Sequence, residues 1–157
     1  TKSSHDERLL GGLHHVTNDI ERLGDYAVLL AKETNYMKEN DISLMDETKD
    51  ELNHIYSRIS QLYNMGLDAF SKRRTDNFKK MSNLHKEILD LISKCRDEHV
   101  HRLGSQVYSV ELSKSIYSVL FSLERIADHI VNVAFSVKST TGSKTEALQA
   151  IAKEKKR

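Results

Sequence analysis

The absence of proline most constrains what this chain can fold into. None of the 157 residues is a proline, and only six are glycine. Proline breaks helices because it lacks the backbone donor and its ring clashes with the preceding turn, and glycine is the next least favourable residue. Strand-like alternation of apolar and polar residues is essentially absent. The sequence therefore predicts an all-α protein built from long helices.

Four blocks of the sequence carry apolar residues at spacings of three and four, which is the pattern of a helix that buries one face. A capping box at Ser4 and Glu7 is expected to start the first block. The predicted helices span approximately residues 4–36, 41–73, 75–104 and 105–137. Because the connections are short, consecutive helices should be antiparallel neighbours. We therefore predict an elongated antiparallel up-down-up-down helical bundle over residues 1–137.

The last part of the chain lacks this periodicity. From residue 138 onward the sequence is polar and basic, and a Ser/Thr/Gly-rich run follows the last apolar stripe. Such a composition buries too little apolar surface to offset the entropy of ordering. We predict that residues 138–157 form a basic flexible tail or a short polar helix.

Charge and cysteine content narrow the function classes. The formal net charge of +1 gives no large electrostatic footprint for nucleic acid, so no nucleic-acid partner is expected. No apolar run approaches the ~20 residues of a membrane span. The single cysteine, Cys95, cannot form an internal disulfide, which favours a reducing compartment. A reducing compartment indicates the cytoplasm. Because the first residue is Thr1 and not Met, we also expect the chain to be a segment of a longer protein.

An acidic motif occurs twice. The pattern [Ile/Leu]-Glu-Arg-[Ile/Leu]-small-Asp spans residues 20–25 and again residues 123–128. Each copy places a Glu and an Asp one helical turn apart on the same face, where like charges destabilise a helix by a few tenths of a kcal/mol. Both pairs have the same angular offset from the apolar stripe of their helix. A bound cation is one explanation, and an exposed acidic edge with arginine counterions is the other.

The surroundings of the second motif favour the cation. Its side of the fourth helix also carries Tyr117, Phe121, Val131 and Phe135, and burying carboxylates among such groups is costly without a positive partner. His85 of the third helix is expected at nearly the same height, either as a ligand or as a hydrogen-bonded packing residue. Carboxylate and imidazole ligands suit iron, zinc or manganese. The predicted transition-metal ligands are Glu21, Asp25, Glu124, Asp128 and His85.

Two alternative functions belong to other classes of protein. A ferritin-like di-iron protein takes Glu-x-x-His motifs from two helices, and the sequence contains Glu51-x-x-His54 and Glu98-x-x-His101. The helical rise places Glu98 more than about 15 Å from Glu124 along the bundle, which argues against this alternative. A metal-free helical scaffold that binds a protein partner stays open.

The two motif-bearing runs, residues 16–25 and 122–129, resemble the signature helices of PhoU-type domains. Residues 96–103 further resemble the PhoU-like cytoplasmic domain at the C-terminal end of bacterial sodium/phosphate cotransporter-related proteins. The resemblance implies two stacked three-helix repeats, metal binding through paired acidic motifs and regulation of phosphate uptake. Two departures stand out: the chain starts at what would be the last helix of the first repeat, and His85 and Leu89 replace an expected acidic pair.

These observations lead to one functional hypothesis. We expect a cytosolic regulatory, metal-binding domain of a sodium-dependent phosphate transport system, located at the inner face of the cell membrane through a fused or separate transmembrane transporter portion. A homodimer is left open. No nucleophile with an adjacent base, glycine-rich phosphate loop or close-spaced cysteine motif is present, so no enzymatic activity is expected. The expected contact surface is the carboxylate side of the first and fourth helices, including Tyr117, Phe121 and Phe135.

Overall fold

The chain folds into four long helices. The computed structural model describes the backbone of residues 3–105 and 109–154 and the side chains of residues 3–4, 6–105 and 109–138. The helices are α1 (Ser4–Glu39), α2 (Asp46–Ser71), α3 (Phe78–Gly104) and α4 (Val110–Glu154). No strand occurs among these described residues. The prediction of an all-α helical bundle is confirmed.

Helix starts differ from the predicted ones where several caps compete. The capping box of α1 uses Ser3 and Asp6, one residue before the predicted pair, since two serines in a row each have an acid three residues ahead. α4 begins at Val110 and not near residue 105, because the hydroxyl of Ser109 accepts a hydrogen bond from the Leu112 backbone at 3.1 Å.

The end of α4 also differs from the prediction. Its backbone stays helical to Glu154, so the helix end predicted at Val137 is wrong. A glycine in a helix costs about 1 kcal/mol relative to alanine and serine or threonine cost less, and no proline follows to stop the helix. The division into a bundle over residues 1–137 and a tail over residues 138–157 stays a prediction.

The core lies between α2, α3 and α4, which pack against one another. Gly66 of α2 permits the closest approach, because a Cβ there would lie 2.9 Å from Cγ2 of Ile130 on α4. The largest fully buried apolar side chains are Ile55, Leu62, Met81, Ile88, Ile92, Ile116 and Leu120. Every one of these residues falls on a predicted stripe or beside it, so the three-helix core follows from the sequence pattern.

α1 packs differently from the prediction. Among the described residues it contacts α4 and makes no close contact with α2, so the expectation that all consecutive helices are neighbours is wrong for this pair. Much of its apolar stripe is exposed, including Leu9, Leu13 and Ile20. A periodic stripe shows that a face is apolar but does not show which helix covers it. None of the helices in the described part of the chain is long and apolar enough to cross a bilayer.

Candidate functional site

The second acidic motif lies where α3 and α4 pack together. Oδ1 of Asp128 is 2.8 Å from Nε2 of His85, and Nη2 of Arg96 donates a hydrogen bond of 3.0 Å to Oε2 of Glu124. On α4 itself, Nη1 of Arg125 is 3.9 Å from the second oxygen of Asp128. Each carboxylate of the motif therefore has a basic partner on the neighbouring helix.

Partial exposure to solvent limits the strength of these two pairs. The side chains of Asp128 and Glu124 are 31% and 36% exposed, so water and salt partly screen both pairs. Exposed ion pairs contribute up to about 1 kcal/mol, and hydrogen bonds to charged groups somewhat more. The two contacts therefore give each carboxylate a hydrogen-bonding partner on α3 and link α3 to α4.

The first motif has a different environment. Glu21 and Asp25 are exposed on α1, and within the described part of the chain neither makes an ion pair or side-chain hydrogen bond. α1 is instead attached to α4 through Asp19, whose Oδ1 is 2.8 Å from Nδ1 of His129 and accepts a 3.3 Å hydrogen bond from Asn132. The two copies match in sequence but not in their contacts.

Two aromatic rings lie beside the Asp19–His129 pair. His129 is buried, and the ring of Tyr26 stacks on it with centroids 5.8 Å apart. Tyr26 also meets the edge of Phe121 at 5.9 Å. Because a polar pair inside an apolar interface requires matched geometry, these contacts fix the register of α1 on α4.

The five predicted metal ligands are only partly brought together. His85 and Asp128 are in contact, Glu124 is paired with Arg96, and Glu21 and Asp25 stand apart. Among the described residues no group of three or more His, Cys, Asp or Glu side chains is close enough to hold a metal ion. Within this part of the chain the five residues therefore form no assembled metal site, and metal binding stays a prediction.

Three residues with central contacts had no assigned role in the sequence interpretation: Arg96, Asp19 and His129. The sequence could have indicated that Arg96 lies near His85, because it follows His85 by about three helical turns and so lies on the same face of α3. Asp19 and His129 both lie inside the repeated runs, close to the acids of the motif. Their pairing depends on the register between α1 and α4, which a single sequence does not show.

A second polar cluster joins α2 to α3. Nη2 of Arg102 donates a 2.7 Å hydrogen bond to Glu51, and the Cys95 thiol donates a 3.2 Å hydrogen bond to the same carboxylate. Burial, together with the Glu51 carboxylate, raises the pKa of Cys95 to about 12. His54 and Glu98 line the adjoining cleft of about 550 Å³. Arg102 is hydrogen-bonded to Glu51, and the described residues contain no assembled ligand set for the di-iron alternative.

His99 forms a buried contact near the other end of the α3–α4 interface. Its Nε2 is 2.8 Å from the hydroxyl of Ser113, and its ring meets the edge of Tyr117 with centroids 5.1 Å apart. Burial lowers the pKa of His99, and the nearby Arg102 cation lowers it further. This histidine is therefore a neutral packing residue at physiological pH.

The expected contact surface is only partly exposed. Of its three aromatic residues, Tyr117 covers His99 and Phe135 packs on Phe78 with centroids 4.5 Å apart, whereas Phe121 is exposed.

An apolar groove of about 710 Å³ opens between α1, α2 and α4. Its floor is formed by α4 residues and its walls by α1 and α2, including Leu123, Ile126, Ile130, Leu30, Tyr56 and Tyr63.

Comparison with known proteins agrees with this architecture. The PhoU domain matches residues 52–137, a range that covers most of α2, all of α3 and the part of α4 that carries the second motif. No curated protein and no solved structure matches the chain. The matched range spans more than half of the sequence and coincides with the three helices that share the core. The chain belongs to the PhoU domain family.

Proposed function

We propose that this chain is a regulatory domain of a sodium-dependent phosphate transport system and that it acts through protein contact. The observation that carries this proposal is the PhoU domain match over residues 52–137, since the family resemblance implies a role in controlling phosphate uptake. The partner is the transmembrane transporter portion, either fused to this chain or separate. Such a partner places the domain at the inner face of the cell membrane.

The chemistry of the described side chains supports contact rather than catalysis. The acids and bases of the α3–α4 interface are paired with one another, and the buried Cys95 thiol has a pKa raised to about 12. A thiol in that state is a poor nucleophile. The side chains of these two clusters therefore stabilise the packing of α2, α3 and α4.

The groove between α1, α2 and α4 is the contact site that fits this function. Tyr56 and Tyr63 stand two helical turns apart on its rim, and both are exposed. Aromatic residues around an apolar floor are typical anchors for an amphipathic helix. We propose that a helix of the transport protein lies in this groove. A homodimer formed through the same groove is the competing outcome.

Metal binding is a separate proposal. Its ligands would be Glu124, Asp128 and His85, and Arg96 competes for Glu124 at 3.0 Å. Replacing Arg96 with Gln should therefore raise the affinity for Zn²⁺ or Mn²⁺, whereas replacing both acids with their amides should abolish it. Isothermal titration of the three proteins tests the proposal. Equal heats of metal binding from the wild type and both variants would favour the alternative of a metal-free helical scaffold.

Phosphate uptake tests the regulatory function. Cells that express the proposed transport partner, with or without this chain, are grown at low and at high phosphate. Because the segment is proposed to control transport and not to perform it, its removal should leave uptake active but insensitive to phosphate supply. Unchanged uptake under both conditions would reject the regulatory role while leaving the fold intact.

A further inference from the structure

The interface between α1 and α4 repeats every seven residues. Along α1 the partly buried residues recur at spacings of three and four, which is the heptad pattern of a coiled coil. One set of these α1 positions is aliphatic: Val16, Leu23, Leu30 and Met37. The matching set on α4 is aliphatic too: Leu112, Val119, Ile126 and Val133. Because the contact between Asp19 and His129 sets the register, antiparallel geometry makes the two sets level within about one residue.

One residue interrupts the repeat on α4. The positions between the aliphatic ones are Ser115, Ser122 and Ser136, but His129 takes the remaining place. A movement of α1 along α4 by seven residues brings aliphatic residues opposite aliphatic residues again, so apolar packing does not distinguish the two registers. Asp19, by contrast, is level with a histidine only in the observed register. The contacts of His129 therefore distinguish the observed register from the next one.

α4 is the only helix that α1 contacts in the described part of the chain. A movement of α1 along its axis is therefore resisted by α4 and by the connection to α2. Seven residues correspond to about 10 Å of movement, and the six connecting residues, 40–45, span at most about 20 Å when extended. Extending the connection releases the partly buried Ile42, which is one cost of the movement. The backbone of α4 stays helical to Glu154, so it continues well beyond Ser136.

The observed register leaves two polar atoms of the interface unsatisfied. Nε2 of His129 and Oγ of Ser115 are buried and have no hydrogen-bond partner within the described part of the chain. A buried polar atom without a partner lowers stability. In a register shifted by seven residues toward the end of α4, Asp19 is level with Ser136, whose hydroxyl can donate to a carboxylate. Both features reduce the difference in free energy between the two registers.

We propose that α1 slides between two registers on α4 and that His129 holds it in the observed one. The shifted register lies one heptad toward the C-terminal end of α4. It exchanges the contact of Asp19 with His129 for a contact with Ser136. It keeps three aliphatic layers, which become Leu23 with Val133, Leu30 with Ile126, and Met37 with Val119. In the wild type the shifted register is the minor state, at about 10% or less.

The slide changes the groove between α1, α2 and α4. In the observed register the α1 wall of the groove includes Ala27 and Ala31. One heptad further, Thr34 and Lys38 take their places, so a lysine enters a lining that is otherwise uncharged. The shifted register is therefore unfavourable for an apolar helix. This consequence rests on the function proposed for the groove, whereas the slide itself does not.

The distance between two spin labels measures the slide in the full chain. One label is attached at Lys32→Cys on α1 and the other at Lys79→Cys on α3, which are both exposed positions, and the buried Cys95 stays unlabelled. The contacts with α4 place the two sites about 27 Å apart along the bundle axis, and the slide shortens this separation to about 17 Å. Pulsed electron paramagnetic resonance should give one main distance when His129 is present.

Three variants of the labelled protein test the role of His129. His129→Ser completes the serine repeat of α4, so a second, shorter distance should appear. His129→Ser with Ser136→His moves the histidine by one heptad, so the shorter distance should become the main one. The matched control, His85→Ser, removes a histidine from its contact with Asp128 on α4 and leaves the α1–α4 interface unchanged. This control should keep the original distance.

Circular dichroism should show the same helix content in all three variants. The proposal is overturned if the variant with the moved histidine keeps the original distance, or if the His85 control also gives the shorter one. It is equally overturned if His129→Ser only broadens the distance distribution, because α1 would then detach and not slide. A loss of helix content in His129→Ser would also overturn it, because the proposal assigns His129 to the register and not to folding.

Discussion

The first copy of the repeated motif serves as a control for the pair that the second copy makes between α3 and α4. Glu124 and Glu21 occupy equivalent positions of the two copies, but only Glu124 receives a hydrogen bond from an arginine on another helix. Replacing either glutamate with glutamine keeps the side-chain size and nearly the same helix propensity. The two substitutions therefore differ mainly in what happens to one charge.

The expected effects have opposite signs. At Glu124 the substitution relieves the repulsion from Asp128, but it also breaks the 3.0 Å pair with Arg96, in which both side chains are more than a third exposed. The lost pair is worth about 0.5–1 kcal/mol and the relieved repulsion a few tenths, so the free energy of unfolding should fall by a net ~0.5 kcal/mol. At Glu21 the substitution removes the repulsion from Asp25 one turn away and breaks no ion pair in the described residues. It should raise the free energy of unfolding by a few tenths of a kcal/mol.

Urea denaturation followed by circular dichroism measures both values. A double-mutant cycle with Arg96→Gln isolates the pair, and we expect a coupling energy of about 0.5–1 kcal/mol for Glu124 and none for Glu21. High salt should reduce the first value. Equal changes at the two glutamates, or a coupling energy near zero at Glu124, would refute the conclusion that Arg96 neutralises the second motif.

Three further predictions concern the packing around the site. Gly66→Ala should lower the melting temperature, because the new Cβ meets Ile130 at 2.9 Å at a cost of about 1–3 kcal/mol, whereas Gly24→Ala, with open space around it, should raise it. The thiol of Cys95, with its pKa near 12, should resist iodoacetamide at pH 8 in the folded protein and react in urea; rapid labelling of the folded protein would contradict its burial. Because the pKa of His99 is lowered in the folded state only, the free energy of unfolding should fall as the pH drops below about 6.5. The fall should be less steep in His99→Gln. If the free energy of unfolding depends on pH in the same way in both proteins, this role of His99 is ruled out.

The sequence predicts the helices well because helix formation depends on local properties. Apolar spacing and the absence of proline are sufficient to locate α2 and α3 within a few residues. The predicted end of α4 at Val137 is wrong because that prediction relied on loss of apolar periodicity. Helix propensity alone continues a helix through polar residues when no strong breaker is present. Boundaries set by competing caps differ by less, by one residue at Ser3 and by about five residues at Ser109.

The candidate site was predictable in its two acids and in His85, but not in Arg96. The motif identifies Glu124 and Asp128 by their spacing on one helix, and the estimated height of His85 agrees with its contact to Asp128. Arg96 was missed because its role depends on how α3 is rotated against α4. The exposure of the α1 stripe was missed for a related reason: spacing along one helix carries no information about which other helix lies nearby.

The most direct test of the account is phosphate uptake by cells that express this chain, together with its proposed transport partner, with Tyr56→Ser and Tyr63→Ser on the groove rim. The control carries Val100→Ser and Val110→Ser, which alter two exposed apolar residues outside the groove lining. We expect the groove variant to express and fold normally but to transport phosphate without responding to phosphate supply, while the control responds as the wild type does. A groove variant that retains the full response would contradict regulation through this groove.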